Sequence, residues 1–269
     1  MAVATRTRSW MEIVARTGYT AVAIVYLLLG ALAFRLAIGA GVRAPDAQSA
    51  ILEVGSTSYG RFFLGLLAAG LVAFTVWRVV EAIFAPGHAH SGLKSLIMRT
   101  GCLISGLSYA ALAYFCFELI SGGRRRGGGD AEVQGWAARI LSHPMGAMVL
   151  FVVGCGFIVA GAIQFWEAYS AHFEEHFQRF AMNHDGALWT RRAGQWGSAA
   201  CGAVFCLIGI FTLEAAVDTN PQKSRGIAGA LEYLMRAPHG PWLLGFVAAG
   251  LIAYGAFMLV VARYGDFPV

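Results

Sequence analysis

Six long apolar stretches punctuate the chain: Gly18–Phe34, Phe62–Trp77, Gly101–Phe117, Met145–Trp166, Ala193–Leu213 and Gly240–Ala262, none holding a charged residue. A helix needs about 20 mainly apolar residues to cross ~30 Å of hydrocarbon. The three shorter runs reach that length by extending past one charge or by snorkelling at their ends. Within each successive pair lies a short segment of mixed character: Asp46–Val54, Asp130–Ser142 and Ser224–Arg236. Each follows a glycine- or proline-bearing turn, and Leu52, Ile140-Leu141 and Leu231/Leu234 fall at helical spacing. An amphipathic helix lying at the membrane surface is predicted in each. The fold class expected is all-α, a polytopic membrane protein of six transmembrane helices with short surface helices.

The six runs form three tandem copies of one two-span unit. The first spans open with Arg16-Thr17-Gly18 and Arg99-Thr100-Gly101; in the third copy Gly197 takes the glycine place. Eight residues later stand Tyr26, Tyr109 and Phe205, and seventeen later Arg35, Glu118 and Glu214. The second spans align without gaps on Gly60, Gly146 and Gly240, with Gly70, Gly156 and Gly250 ten residues on. At twenty-one come Glu81, Glu167 and Val261, each followed by alanine. We read a tail at 1–14 and repeats at 15–90, 91–180 and 181–269. Two spans per copy leave all copies in one orientation, which permits closure around a pseudo-threefold axis normal to the membrane.

The opening Arg-x-Gly, the later Gly-x-x-x-Leu and Gly-Leu, and the closing Trp77-Arg78-x-x-Glu81-Ala82 resemble the bacterial family catalogued as domain of unknown function 1206. The resemblance covers roughly residues 15 to 264, is strongest in the first copy, and implies six spans in three tandem copies. The second copy has Ile163-Gln164 in place of Trp-Arg, and the third has Met258 and Val261 in place of Arg and Glu. The family brings no activity with it.

Composition agrees with the pattern. The 269 residues are 58% hydrophobic and 13% charged, against about 25% charged in a soluble domain. The pI of about 9.1 is no nucleic-acid signal, because the basic residues sit at span ends, where anionic headgroups meet them. Met1–Arg16 has no short apolar stretch with a small-residue cleavage site, so the first run is expected to stay as a span. The five cysteines all lie inside apolar runs without a CxxC pair and read as small packing residues. The seven tryptophans cluster at span ends, as an aromatic belt requires. The 20 Lys and Arg residues divide evenly between the two faces. Basic residues flanking the first span favour cytoplasmic termini in a bacterial inner membrane.

The candidate chemistry lies near span ends. Arg35, Glu118 and Glu214, in equivalent places, are candidates for an ion pair or gate at the mouth of a threefold bundle. A charge there costs far less than the ~2.5–3.5 kcal/mol it costs at the bilayer centre. Three snorkelling end residues are the structural alternative. At the other end Arg78 and Glu81 stand three apart and can pair. Gln164 and Glu167 repeat the spacing without the cation, so a buried Glu167 would hold its proton more tightly. His172 and His176, at i and i+4, form a weak zinc-type pair with no evident third ligand, and no cofactor is expected. The glycines of the second spans, Gly65, Gly70, Gly245 and Gly250 among them, point to close helix packing.

Two function classes follow. The first is a non-enzymatic structural or accessory subunit, with the lipid bilayer, other membrane proteins or a second copy as partners. The second is a small permease or channel using the end-of-span carboxylates.

Overall fold

The computed structural model describes residues 2–40, 43–84, 93–122, 128–170 and 184–265. Among these it holds nine α-helices: α1 (Ala2–Ala37), α2 (Ala47–Gly55), α3 (Gly60–Phe84), α4 (Leu93–Ile120), α5 (Asp130–Leu141), α6 (Gly146–Ser170), α7 (His184–Val217), α8 (Ile227–Arg236) and α9 (Gly240–Tyr264). The order is long, short, long, three times over. The six long helices contain spans Trp10–Ala37, Gly60–Phe84, Arg99–Ile120, Gly146–Ser170, Leu188–Val217 and Gly240–Tyr264. The chain is a multi-pass membrane protein, and every span takes in a charged residue or a polar end beyond its uncharged run.

The repeat is visible in the turns. Gly39 and Gly122 end α1 and α4 with φ of 73° and 75°, a left-handed cap that suits glycine. The third copy places Thr219 there, at φ 51°. Between each short helix and the following span, a tight turn donates the amide of Gly60 to Thr57 O, of Gly146 to His143 O and of Gly240 to Ala237 O, at 2.9, 2.9 and 2.8 Å. A Cβ on any of these glycines would come within 3 Å of a carbonyl at the end of the short helix, at Gly55, Ile140 or Met235. Sterics therefore account for the glycine that opens each second span.

Contacts divide the chain into two compact units that cut across the copies. The first comprises Met1–Val25, Ile51–Arg125 and Met258–Val269; the second comprises Tyr26–Ala50 and Arg126–Phe257. In the first unit α1 packs on α3 through glycine. A Cβ on Gly18 would lie 2.6 Å from Phe74 Cα, and one on Gly70 would lie 2.5 Å from Ala21 Cβ. In the second unit α7 meets α9 at the matching positions, Gly197 against Tyr254 Cα at 2.6 Å and Gly250 against Ala200. Gly197, rather than Gly194, is therefore the partner of Gly18 in the repeat.

Successive copies also meet at a recurring junction. In the second unit Gly30 of α1 approaches Ile252 of α9, and Gly209 of α7 approaches Ile158 of α6, so that an added Cβ would lie 2.7 and 2.6 Å from the isoleucine Cγ1. These are the same two repeat positions both times. The aromatic rings repeat the theme: Phe74 meets Tyr109 edge-to-face at 4.7 Å in the first unit, and Tyr254 meets Tyr26 at 4.8 Å in the second. Copy one thus packs on copy two, two on three, and three on one.

The core of the second unit is mainly apolar. Leu29, Ala33, Ile208, Leu231, Leu244 and Leu251 are among its buried members. Six of the seven tryptophans are exposed, but Trp77 is only 4% exposed and belongs to the core with Leu71 and Phe74. Its place at the end of an uncharged run made it look like a belt residue. α3 continues to Phe84, which leaves Trp77 two turns inside the helix on its packed face.

Candidate functional site

Two polar places stand out, one at each end of the spans. The first is on α3. Arg78 Nη1 donates to Glu81 Oε2 at 2.9 Å, and both side chains are about a quarter exposed. The expected pair is present. The guanidinium also lies over the Phe74 ring, 5.0 Å from its centroid, and reaches Cys102 Sγ on α4 at 3.9 Å. Helix spacing puts Phe74, Arg78 and Glu81 on one face, and that face meets α4. Gly106 makes room, since a Cβ there would sit 3.3 Å from Arg78 Cβ. The matching place in the next junction pairs Gly202 with Gln164 at the same 3.3 Å. Sequence reasoning missed both glycines, although they stand at the same offset after Gly101 and Gly197. Glu167 is exposed near the end of α6.

The second place is at the far end of α7. Glu214, in the last turn, lines a cavity of about 370 Å³ with Leu207, Ile210, Phe211, Lys223, Arg225 and two neighbours, Gln222 and Tyr233. The segment after α7 positions the charged rim. Asn220 Oδ1 accepts from the amide of Gln222 at 3.0 Å and holds the short 3-10 turn Pro221–Lys223. Lys223 Nζ donates to Asp218 Oδ2. This hydrogen bond, then the Asp218 charge and the Glu214 charge, raise the lysine above its ordinary pKa. Arg225 lies over Phe211 at 5.3 Å, and Phe211 meets Tyr233 edge-on at 5.4 Å. An Arg–Phe–Tyr stack therefore forms one wall.

The three end-of-span candidates have different surroundings. Glu214 lines the cavity, Arg35 is exposed in the last turn of α1, and Glu118 is half-buried on α4 in the other unit. Arg225 and Tyr233 were not singled out from sequence. The signal was available: Lys223-x-Arg225 directly precedes an amphipathic helix that carries Tyr233 on its second turn. His172 and His176, like His88 and His90, lie outside the described residues. Among the described residues no three His, Cys, Asp or Glu side chains cluster for a metal.

The short helices join copy to copy beside this cavity. Asp130 Oδ1, at the start of α5, accepts from the amides of Gly226 and Gly229 at 2.9 and 3.0 Å and caps α8. Gln48 Nε2 at the start of α2 donates to Glu132 Oε2 at 2.6 Å. Asp46 and Ser49 cap α2 reciprocally, each backbone amide donating to the other's side chain at 2.7 Å. The N-terminal ends of the three short helices thus meet, with a carboxylate on the exposed amides of α2 and of α8.

The profile described as "Domain of Unknown Function (DUF1206)" matches three times, at residues 17–85, 100–171 and 196–265. The chain belongs to the DUF1206 family. The three family matches each contain one long–short–long unit of the fold. A relative, "Uncharacterized protein YxxB" of Bacillus subtilis (strain 168), is 34% identical over 259 residues, covering 96% of this chain and 92% of that protein. No solved structure matches.

Proposed function

We propose that this DUF1206 protein is a non-enzymatic structural or accessory subunit of a membrane complex. One observation supports this most: among the described residues no charged side chain is buried, and the buried polar ones are Thr190, Ser198, Thr212 and Ser224 alone. A carrier of ions or polar solutes needs charged or polar groups inside its span region. Here the interior of each unit is mainly Gly, Ala, Leu and aromatic packing, and the polar groups inside the spans are a few hydroxyls and the half-buried Arg78–Glu81 pair. The partners of such a subunit are the lipid bilayer and other membrane proteins or a second copy. The site proposed is the bacterial inner membrane, with both termini in the cytoplasm.

The test is purification of the tagged protein from its native membrane in mild detergent, with mass spectrometry and sizing. Stoichiometric co-purification of other membrane proteins is expected. A lone chain that moves solute across reconstituted vesicles would overturn the reading. The second reading, a small permease or channel with pseudo-threefold repeats, draws its support from Glu214, the end-of-span carboxylate that lines a cavity. A reporter fused after Val269 that is active only outside the cytoplasm would reverse the proposed orientation.

A further inference from the structure

The cavity at the end of α7 holds two opposite charges that no hydrogen-bonded ion pair neutralises. Arg225 is held over the Phe211 ring, and no carboxylate or carbonyl oxygen binds its guanidinium among the described residues. The Glu214 carboxylate likewise receives no hydrogen bond there, although its charge acts on Lys223 through space. Lys223 is occupied by Asp218. The cavity therefore presents one guanidinium, one carboxylate and one neutralised ion pair around a single space of about 370 Å³.

Its lining also changes with depth. Leu207 and Ile210 lie on α7 inside the span, whereas Glu214 stands in its last turn. At 1.5 Å per residue the run from Leu207 to Glu214 covers about 10 Å. That is the distance over which a bilayer passes from acyl chain to headgroup. A ligand filling this space must be apolar at the Leu207 end and carry both signs of charge at the other.

We propose that the cavity seats the headgroup of a zwitterionic phospholipid bearing a primary ammonium. The phosphate lies on Arg225, which offers a fork of N–H donors suited to it. The ammonium lies on Glu214, and the upper acyl chain runs along Leu207 and Ile210. A trimethylammonium head has no N–H to donate to Glu214. A glycerol head offers that carboxylate only neutral hydroxyls and leaves its charge unbalanced. This assignment does not depend on the accessory-subunit reading.

The test is native mass spectrometry of the full-length protein in detergent. It is titrated with phosphatidylethanolamine, phosphatidylcholine and phosphatidylglycerol of identical chains, and with water-soluble O-phosphoethanolamine as competitor. One phosphatidylethanolamine retained per chain is expected, at least about fivefold above either other lipid, with the soluble competitor without effect. Glu214→Gln, nearly isosteric at an exposed position, is expected to abolish the preference over phosphatidylcholine. Arg225→Ala is expected to weaken both lipids about tenfold, as loss of a charge-assisted contact does. Equal retention of the three lipids, displacement by the soluble competitor, or an unchanged preference in Glu214→Gln would each overturn the proposal. The last of these decides even where Arg225→Ala fails to fold.

Discussion

The carboxylate of Asp130 accepts from the backbone amide of Gly226, 2.9 Å away and 96 residues later in the chain. One copy's surface helix thereby caps the next copy's. Gly226, the N-cap of α8, has no side chain to do so and stands where the first copy has Asp46 and the second Gly129. The second copy supplies what the third lacks.

Replacing Asp130 by alanine leaves the amides of Gly226 and Gly229 without this acceptor. Loss of an N-cap costs about 1 kcal/mol, and here two amides lose one acceptor. A destabilisation of about 1–2 kcal/mol is expected, read as a lower Tm in detergent. Asp130→Asn keeps an oxygen acceptor and should lose less than half of that.

Gly197→Ala puts a methyl group 2.6 Å from Tyr254 Cα. Backbone cannot yield as a flexible side chain can, so overpacking of about 1–3 kcal/mol is expected. Gly65→Ala meets nothing within 4 Å and serves as the control, with unchanged or slightly raised Tm. Equal losses in both would show that helix glycines are needed here for some reason other than close approach.

Thr219 occupies the left-handed cap that Gly39 and Gly122 fill in the other copies. A side chain there costs about 1–2 kcal/mol, while glycine adds up to ~1 kcal/mol of freedom to the unfolded chain. Thr219→Gly should therefore stabilise by about 0.5 kcal/mol, with a corresponding small rise in Tm.

Arg78 contributes by packing as well as charge. Its ion pair with Glu81 spans one turn of a half-buried face and is worth about 0.5 kcal/mol. Its contact with Phe74 adds about 0.5–1 kcal/mol. Glu81→Gln should cost less than Arg78→Ala, and a double-mutant cycle between them should return the smaller figure as the coupling.

Lys223 is raised by its hydrogen bond to Asp218 and then by the Asp218 charge. The sign follows from linkage. A group that binds its proton more tightly when folded stabilises fully below the unfolded lysine value of about 10.4. That contribution disappears as pH rises through the higher folded value. Wild type should therefore lose more stability than Asp218→Asn between pH 9 and pH 12. The lysine is exposed, so the difference is small and is best read from paired thermal melts.

Much of this architecture was legible from the chain alone, because lipid imposes a local rule. A span must be mainly apolar along its length, and a surface helix must alternate at helical period. Both conditions are written in consecutive residues. The repeat was legible for the same reason, since Gly60, Gly146 and Gly240 each stand against the last carbonyls of the helix just before them. Charges close in sequence were equally accessible, as Arg78 and Glu81 show.

Tertiary structure decided which distant residues meet. Glu214 became part of a cavity because Lys223 and Arg225 fold back beside the end of α7. Trp77 became core because α3 runs on past it. Gly106 and Gly202 gained their meaning from Arg78 and Gln164 on the preceding copy, and Asp130 from amides in the following one. Contacts between copies depend on how helices pack across long sequence separations, which no local spacing encodes. The sequence by itself determined six spans in three copies; packing between copies determined the caps, the glycine junctions and the charged cavity at the end of α7.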